Sequence, residues 1–410
     1  MSGNRRVLII EENSFVPLDV RVWYEATTLR DAGWQVTVVC PLINQARERI
    51  LTPRESIMKE NLDGVTVFRF PLIFAKHGIL NYVGEYFSAF LSISRLSWRI
   101  WREDHFDVLH ISNPPDIFFI LAEFYRRLGA SVIFDHHDLF PELVNWRYRG
   151  IAGKLFYIIA RVTEYLTFQS ANVVISTNQS YRRIALERGG KSADKVIVVR
   201  NGPKASEFVP LEPDPTIKRG FPFLVCYAGV MGYEDGILEL IRSIRHIVND
   251  LSRKDVFFIL LGDGAFRPHA LNDVVTWELE DFVDFPGMIQ DKLLLRQYLC
   301  TANVLLSPEP STPLNNLSTF IKIGEYMAMG KPIVAYDLVE TRNTAQGAAV
   351  YAKPGDENGY GQIIVDLLDD PERQRLMGEI GRQRILDHLS WEHQHEDLFR
   401  AYAIAMEGKN

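Results

Sequence analysis

A chain of 410 residues, 47% hydrophobic and 24% charged, has the composition of a soluble globular protein long enough for two cores. Its net charge of −7 argues against nucleic acid as the main partner, although residues 1–205 carry about five excess positive charges and the remainder about twelve negative ones. Cys40, Cys226 and Cys300 are too scattered for a metal site and odd in number for a disulfide framework, so they read as small core residues in a reducing cytoplasm.

No signal peptide is expected, because Arg5 and Arg6 lead directly into a strand, and no apolar run has the length to span a bilayer. RVLIIEE (Arg6–Glu12) reads as a buried strand. The next helix should run from near Asp19 to Gly33, with Val22, Ala26 and Leu29 as its buried stripe. WQVTVVC is the second strand, giving a βαβ opening of the doubly wound α/β kind. The turn lacks the Gly-x-Gly-x-x-Gly of a dinucleotide fold, which counts against a dehydrogenase. It offers Asp19-Val20-Arg21 instead, with Arg21 either reaching a phosphate or pairing with Asp19 in the first turn.

Val65–Phe70 is a further strand, and Gly78 to Trp101 reads as a long amphipathic helix. Tyr82, Phe87, Phe90, Leu91 and Trp98 stand on it against Glu85, Arg95, Arg99 and Arg102. Such a helix covers the sheet or lays a basic-aromatic face on a membrane surface, a patch that Arg147, Arg149, Lys154 and Arg161 would extend. Covering the sheet is the preferred expectation.

DVLHIS is a strand ending at Asn113-Pro114-Pro115-Asp116, followed by the helix IFFILAEFYRRLG. SVIFDHH is a strand whose carboxyl end carries Asp135-His136-His137-Asp138. Adjacent histidines on an extended chain point to opposite sides, and no second cluster completes a ligand set, so no metal is expected. ANVVIST and KVIVVRNG give two more strands, and Pro203–Arg219 reads as a linker rich in proline and charge.

FPFLVCYAG opens the second half as a strand, and Gly229 and Gly232 in its turn let backbone N–H groups approach a phosphate. A helix follows from about Asp235. VFFILLGDG and FVDFPGMI are strands, the latter ending at Met288 and Ile289. Asn303–Ser307 is a short buried strand, and the loop Glu309–Leu317 carries too many Pro and Asn breakers to be helical. Ser318 or Thr319 should cap the next helix, Phe320, Ile323 and Met327 recur at helical spacing, and Gly330 ends it. The helix start carries Lys322 and Glu325, a cation for phosphate and a carboxylate for sugar hydroxyls, or else an ordinary solvated pair.

GEYMAMGKPIVAYD followed by VETR closely resembles the C-terminal signature of family-4 retaining glycosyltransferases with the GT-B fold. The resemblance implies an α/β protein of two Rossmann-like domains facing an interdomain cleft. Residues 1–203 would form the acceptor domain and residues 204–390 the donor domain, with 391–410 a terminal helix crossing back to the first. Glu325 matches the second Glu of the family's E-x7-E motif, which hydrogen-bonds the donor's ribose. Leu317 stands where the first Glu belongs, so Asn315, Asn316 or Glu309 would serve the donor sugar. Val230 and Asp235 stand where relatives carry an Arg and a Lys for the diphosphate, leaving Lys322, Arg21 or helix dipoles to neutralise it.

His137-Asp138 matches a pair that lines the cleft beside the donor sugar, and these two with Lys322 and Glu325 are the catalytic candidates. Gly229, Val230, Ser318 and Thr319 would border the diphosphate, the backbone around Met288 and Ile289 the base, and Asn113 and Glu142 the acceptor. The implied reaction is retaining sugar transfer from a UDP- or GDP-type donor to a glycan or lipid-linked acceptor, without cofactor or metal. Cell-surface polysaccharide assembly is the family-level expectation, while the cytoplasmic location comes from the cysteines and possible peripheral membrane association from the basic-aromatic surface. A nucleotide-sugar 2-epimerase on the same scaffold, acting without an acceptor, is one alternative. A non-catalytic subunit binding a nucleotide-sugar or polysaccharide is another.

Overall fold

The computed structural model describes residues 5–42, 57–71, 79–148 and 150–407, with side chains from residue 84 onward in the third segment's helix. Gly78, the Tyr82 side chain and Arg149, named above, lie outside the described residues. The chain divides into two compact units, one of residues 1–200 with 395–410 and one of residues 201–394.

In the first unit the order is β1 (Arg6–Ile10), α1 (Val20–Asp31), β2 (Gln35–Leu42), β3 (Met58–Leu62), β4 (Val65–Pro71) and α2 (Ile79–Glu103). There follow β5 (Val108–Ser112), α3 (Phe119–Arg127), β6 (Ser131–His136), α4 (Phe140–Arg147) and α5 (Gly150–Ser170). β7 (Val173–Ser176), α6 (Gln179–Glu187) and β8 (Val196–Val198) complete the run. The sheet order is β3-β4-β2-β1-β5-β6-β7-β8, parallel throughout except for the antiparallel edge pair β3 and β4. The strands are apolar on both faces because helices cover both, as parallel sheets require. Asp19 caps α1 by accepting from the Val22 N–H, and the stripe Val22, Ala26 and Leu29 is fully buried.

The second unit runs β9 (Phe223–Ala228), α7 (Ile237–Arg245), β10 (Val256–Leu261), α8 (Arg267–Thr276), β11 (Val283–Gly287) and α9 (Lys292–Thr301). β12 (Val304–Ser307), α10 (Ile321–Ala328), β13 (Ile333–Tyr336), α11 (Val339–Ala345) and β14 (Ala349–Ala352) follow, then α12 (Glu357–Leu368) and α13 (Pro371–Arg384). All six strands are parallel in the order β11-β10-β9-β12-β13-β14. The architecture is the α/β GT-B class, with two Rossmann-like sheets. The last helix, α14 (His395–Met406), packs on β6, β7 and β8 of the first unit. Tyr402 Oη lies 2.8 Å from His110 Nδ1, and Ser131 Oγ donates to the Ala405 carbonyl at 2.5 Å.

Three expectations change here. α10 is not capped by Ser318 or Thr319; its N-cap is Phe320, which makes no side-chain cap bond, because Ser318 Oγ donates to the Leu314 carbonyl instead. α7 starts at Ile237 after Gly236, whose φ is +71° and where a Cβ would meet the Pro308 carbonyl at 2.0 Å. On α2, Phe87, Leu91 and Trp98 face solvent, while Ala89, Ile93, Leu96, Ile100 and Trp101 meet the sheet. The three cysteines are buried and unpaired, as expected. No helix among the described residues is long and apolar enough to cross a membrane.

Candidate functional site

In a doubly wound sheet the ligand crevice opens at the carboxyl ends of strands where the order reverses direction. In the second unit that point lies between β9 and β12, since β10 and β11 extend to one side and β13 and β14 to the other. Gly229 follows β9 there, and Pro308-Glu309 follows β12. α10 delivers Lys322 to the same place, fixed by Tyr326, whose Oη donates to the Ala228 carbonyl and accepts from the Ala228 N–H.

Lys322 Nζ sits 2.5 Å from Glu309 Oε1, 3.2 Å from Tyr227 Oη and 4.4 Å above the Tyr227 ring centre. A Cβ on Gly229 would lie 2.6 Å from that ammonium, so the absent side chain lets the cation sit directly over the β9 turn. Burial works against the charge, but Glu309 outweighs it and holds the Lys322 pKa well above the usual lysine range. Ser307 Oγ bonds the other Glu309 oxygen.

One turn on, Glu325 is half-buried; its carboxylate makes no hydrogen bond or ion pair among the described residues and is pushed up to about 7 by burial, against Lys322 and Lys292. Asp235 accepts from the Gly232 N–H at 2.9 Å, and burial raises it to about 6. Tyr227 and the Lys322–Glu309 pair were not legible as a unit in the sequence. The signal that existed was Glu309 directly behind a strand end.

The other expected donor residues divide. Val230 is exposed beside the turn, and its carbonyl accepts from Tyr227 Oη at 2.5 Å. Met288 and Ile289 are half-buried just past β11, an edge strand. Thr319 is half-buried ahead of α10. Asn315 and Asn316 spend their amide donors on the loop itself: Asn315 donates to the Glu234 and Pro310 carbonyls, and Asn316 to Ser311 Oγ and the Thr312 carbonyl. Both hold the loop that carries Glu309 into place.

In the first unit, Arg21 does not reach a phosphate, and Asp19 is not its main partner. Its guanidinium is buried against Asp135 at 2.6 and 2.7 Å, with Glu25 at 3.3 Å and the Val199 carbonyl at 3.0 Å. Glu25, His110 and Asp135 approach within 4.8 Å, but Arg21 takes both Asp135 oxygens, which makes this a charge network rather than an open ligand set. Burial and Asp135 push Glu25 up to about 8, and burial pulls His110 down to about 4.

His137 Nδ1 lies 3.0 Å from Asp135 Oδ2. Burial opposes charge on this ring, yet Asp135, with Glu11 and Asp19 behind it, raises its pKa to about 10, so it stands as an imidazolium. Asn113 positions it rather than opening to an acceptor: its Oδ1 accepts from the His137 and Asp138 N–H groups, and its amide donates to Asp116 and the Asp138 carbonyl. Asp138 is half-buried beside it. Glu142, expected at the acceptor side, pairs with Arg188 at 2.5 Å.

Residues 222–370 match the family described as glycosyl transferases group 1, and residues 18–202 match the glycosyl transferase 4-like domain. Over 296 residues the chain is 23% identical to the alpha-maltose-1-phosphate synthase of Mycolicibacterium smegmatis, covering 67% of this chain and 73% of that protein. Over 406 residues it is 20% identical to the chitobiosyldiphosphodolichol beta-mannosyltransferase of Candida glabrata, covering 92% and 87%. The solved sucrose-phosphate synthase of Thermosynechococcus elongatus superposes with a TM-score of 0.75 at 18% identity, covering 97% and 98% of the two chains.

Proposed function

Because the chain belongs to the glycosyl transferases group 1 family, of family-4 type, and is a glycosyltransferase of GT-B fold, we propose that it moves a sugar from a nucleotide diphosphate sugar to an acceptor hydroxyl with retained configuration. The observation that carries the donor reading is the Lys322 ammonium lying over the Gly229 turn, with the unpartnered Glu325 carboxylate one turn further along α10. Diphosphate oxygens entering there compete with Glu309 for Lys322, and the turn's N–H groups add neutral donors. Glu325 accepts from the ribose hydroxyls. One resident cation takes the place of the Arg and Lys that the family resemblance implies for the β9 turn.

In this reading the bond from the anomeric carbon to the phosphate oxygen breaks as the bond to the acceptor oxygen forms on the same face. The acceptor's proton passes to the departing phosphate, so the protein supplies positioning and charge stabilisation rather than a general base. Lys322 stabilises the leaving diphosphate, and the reaction calls for no metal or cofactor. The His137 imidazolium, held by Asp135, offers its Nε2 proton to a sugar hydroxyl, with Asp138 beside it. The names of the two relatives, one ending in a sugar phosphate and one in a lipid-linked glycan, support a phosphorylated or lipid-linked saccharide as acceptor.

A panel of UDP- and GDP-sugars screened for thermal stabilisation tests this reading, since a ligand that binds the folded state raises apparent stability by mass action. One nucleotide class should raise Tm in the wild type and not in Glu325→Ala. Equal stabilisation of both proteins would remove the proposed site.

A further inference from the structure

α5 reverses the usual order of a surface helix. Its inward positions hold small or polar residues such as Gly153, Ala160 and Thr167, while Ile151, Leu155, Ile158, Val162, Tyr165 and Leu166 point to solvent. Ile151 is 89% exposed. The spacing of these residues, at three and four positions, makes one continuous stripe along the whole length of the helix. α3 lies beside α5 and adds Ile120, Phe124 and Leu128, also exposed. α2 joins through Trp98, whose ring lies 5.8 Å from Phe124, and all three helices cover the same face of the sheet. Scattered exposed apolar residues need no explanation, but a contiguous layer of this kind marks a contact surface.

The charges on this layer choose the partner. The one acid of α5, Glu164, is buried and paired with Arg188, so the ionic groups left on that helix's surface are Lys154 and Arg161. On α2 the outward stripe passes from Phe87 and Leu91 to Arg95, Trp98 and Arg102. Lys154, Arg95 and Arg102 make no ion pair among the described residues. An apolar stripe edged by unpaired cations, on the basic half of a chain whose other half is strongly acidic, complements an anionic lipid surface. Against a second copy, the same cations would face each other.

We propose that the outer faces of α2, α3 and α5 dock this protein onto the surface of an anionic bilayer. The aliphatic side chains of α5 enter the headgroup boundary while the lysine and arginines engage phosphates. The proposal does not depend on the donor reading, because lipid binding needs no nucleotide-sugar.

The test is co-sedimentation of the full chain with vesicles of phosphatidylcholine alone and of phosphatidylcholine mixed with phosphatidylglycerol. The expected result is binding to the mixed vesicles, reduced about tenfold or more by Leu155→Ser/Ile158→Ser/Val162→Ser, given the apolar area removed from the interface. Lys154→Gln/Arg95→Gln/Arg102→Gln should abolish the preference for the anionic vesicles. All six positions are exposed, and unchanged Tm verifies folding. Absence of vesicle binding by the wild type overturns the proposal. So does a dimer in sedimentation that the serine variant dissolves without any vesicle binding.

Discussion

Lys322 Nζ lies 2.5 Å from Glu309 Oε1, and this contact joins the first turn of α10 to the loop behind β12. Both groups are almost out of water, with Lys322 10% and Glu309 1% exposed at the side chain. A buried pair of this kind adds little net stability but is costly to break from one side, because a charge is left without a partner.

Lys322→Met should therefore lower unfolding free energy by about 3–5 kcal/mol, read from urea titration. Adding Glu309→Gln should recover most of that loss, since the orphaned charge is gone. Affinity for the nucleotide diphosphate should fall at least ~tenfold in both proteins, the range expected for losing a charge-assisted contact. Recovery of affinity in the double variant would contradict the role given to Lys322.

Glu325 titrates near 7 because burial disfavours its charge. Nucleotide-sugar affinity should rise between pH 6 and 8, as the carboxylate that accepts the ribose hydroxyls forms, and calorimetry on Glu325→Gln should give a flat profile. Stability runs the other way. A carboxyl whose folded pKa exceeds its unfolded value stabilises the protein in acid and loses that contribution as pH rises through 7. Glu325→Gln should thus raise Tm at pH 8 relative to the wild type, and less at pH 5.

Gly229→Ala places a methyl 2.6 Å from Lys322 Nζ and 2.9 Å from Tyr227 Oη, so the flexible ammonium must move. The expected outcome is weaker donor binding with Tm changed by only a few degrees, roughly 1 kcal/mol or less. A variant that keeps full affinity would show that the cation need not sit over the turn.

Asp135→Asn removes the partner of buried Arg21 and should cost about 3–5 kcal/mol. It should also lower the His137 pKa from about 10, because Asp135 is the group that chiefly raises it. The raised pKa stabilises the fold fully below the ordinary histidine pKa of about 6.5, and the contribution is lost as pH rises through 10. Imidazole NMR should show His137 protonated at pH 8 in the wild type and titrating at lower pH in Asp135→Asn, whose stability needs checking in parallel.

The two sheets were readable because strands buried on both faces leave unbroken apolar runs such as RVLII, VFFILL and VLLS. β3 was not, since MKENL is a charged edge strand with three exposed residues. Lys322 and Glu325 emerged from helical spacing, but the partner of Lys322 lies 13 residues earlier, beyond a loop whose path no local pattern dictates. Arg21 was misassigned for the same reason on a larger scale: Asp135 is 114 residues away, and only β6 lying in the same sheet as β1 brings them together. At α10 the residues with capping chemistry were present, yet Ser318 satisfied the loop instead, so the helix began later.

The placement of α14 gives the two units different histories on the ribosome. Residues 201–394 are complete as a continuous stretch before the chain ends, whereas the sheet made first must wait for Tyr402 and Ala405 to cover His110 and Ser131. A premature stop at the His395 codon would therefore injure the half of the protein that was synthesised earliest and spare the half translated just before the stop.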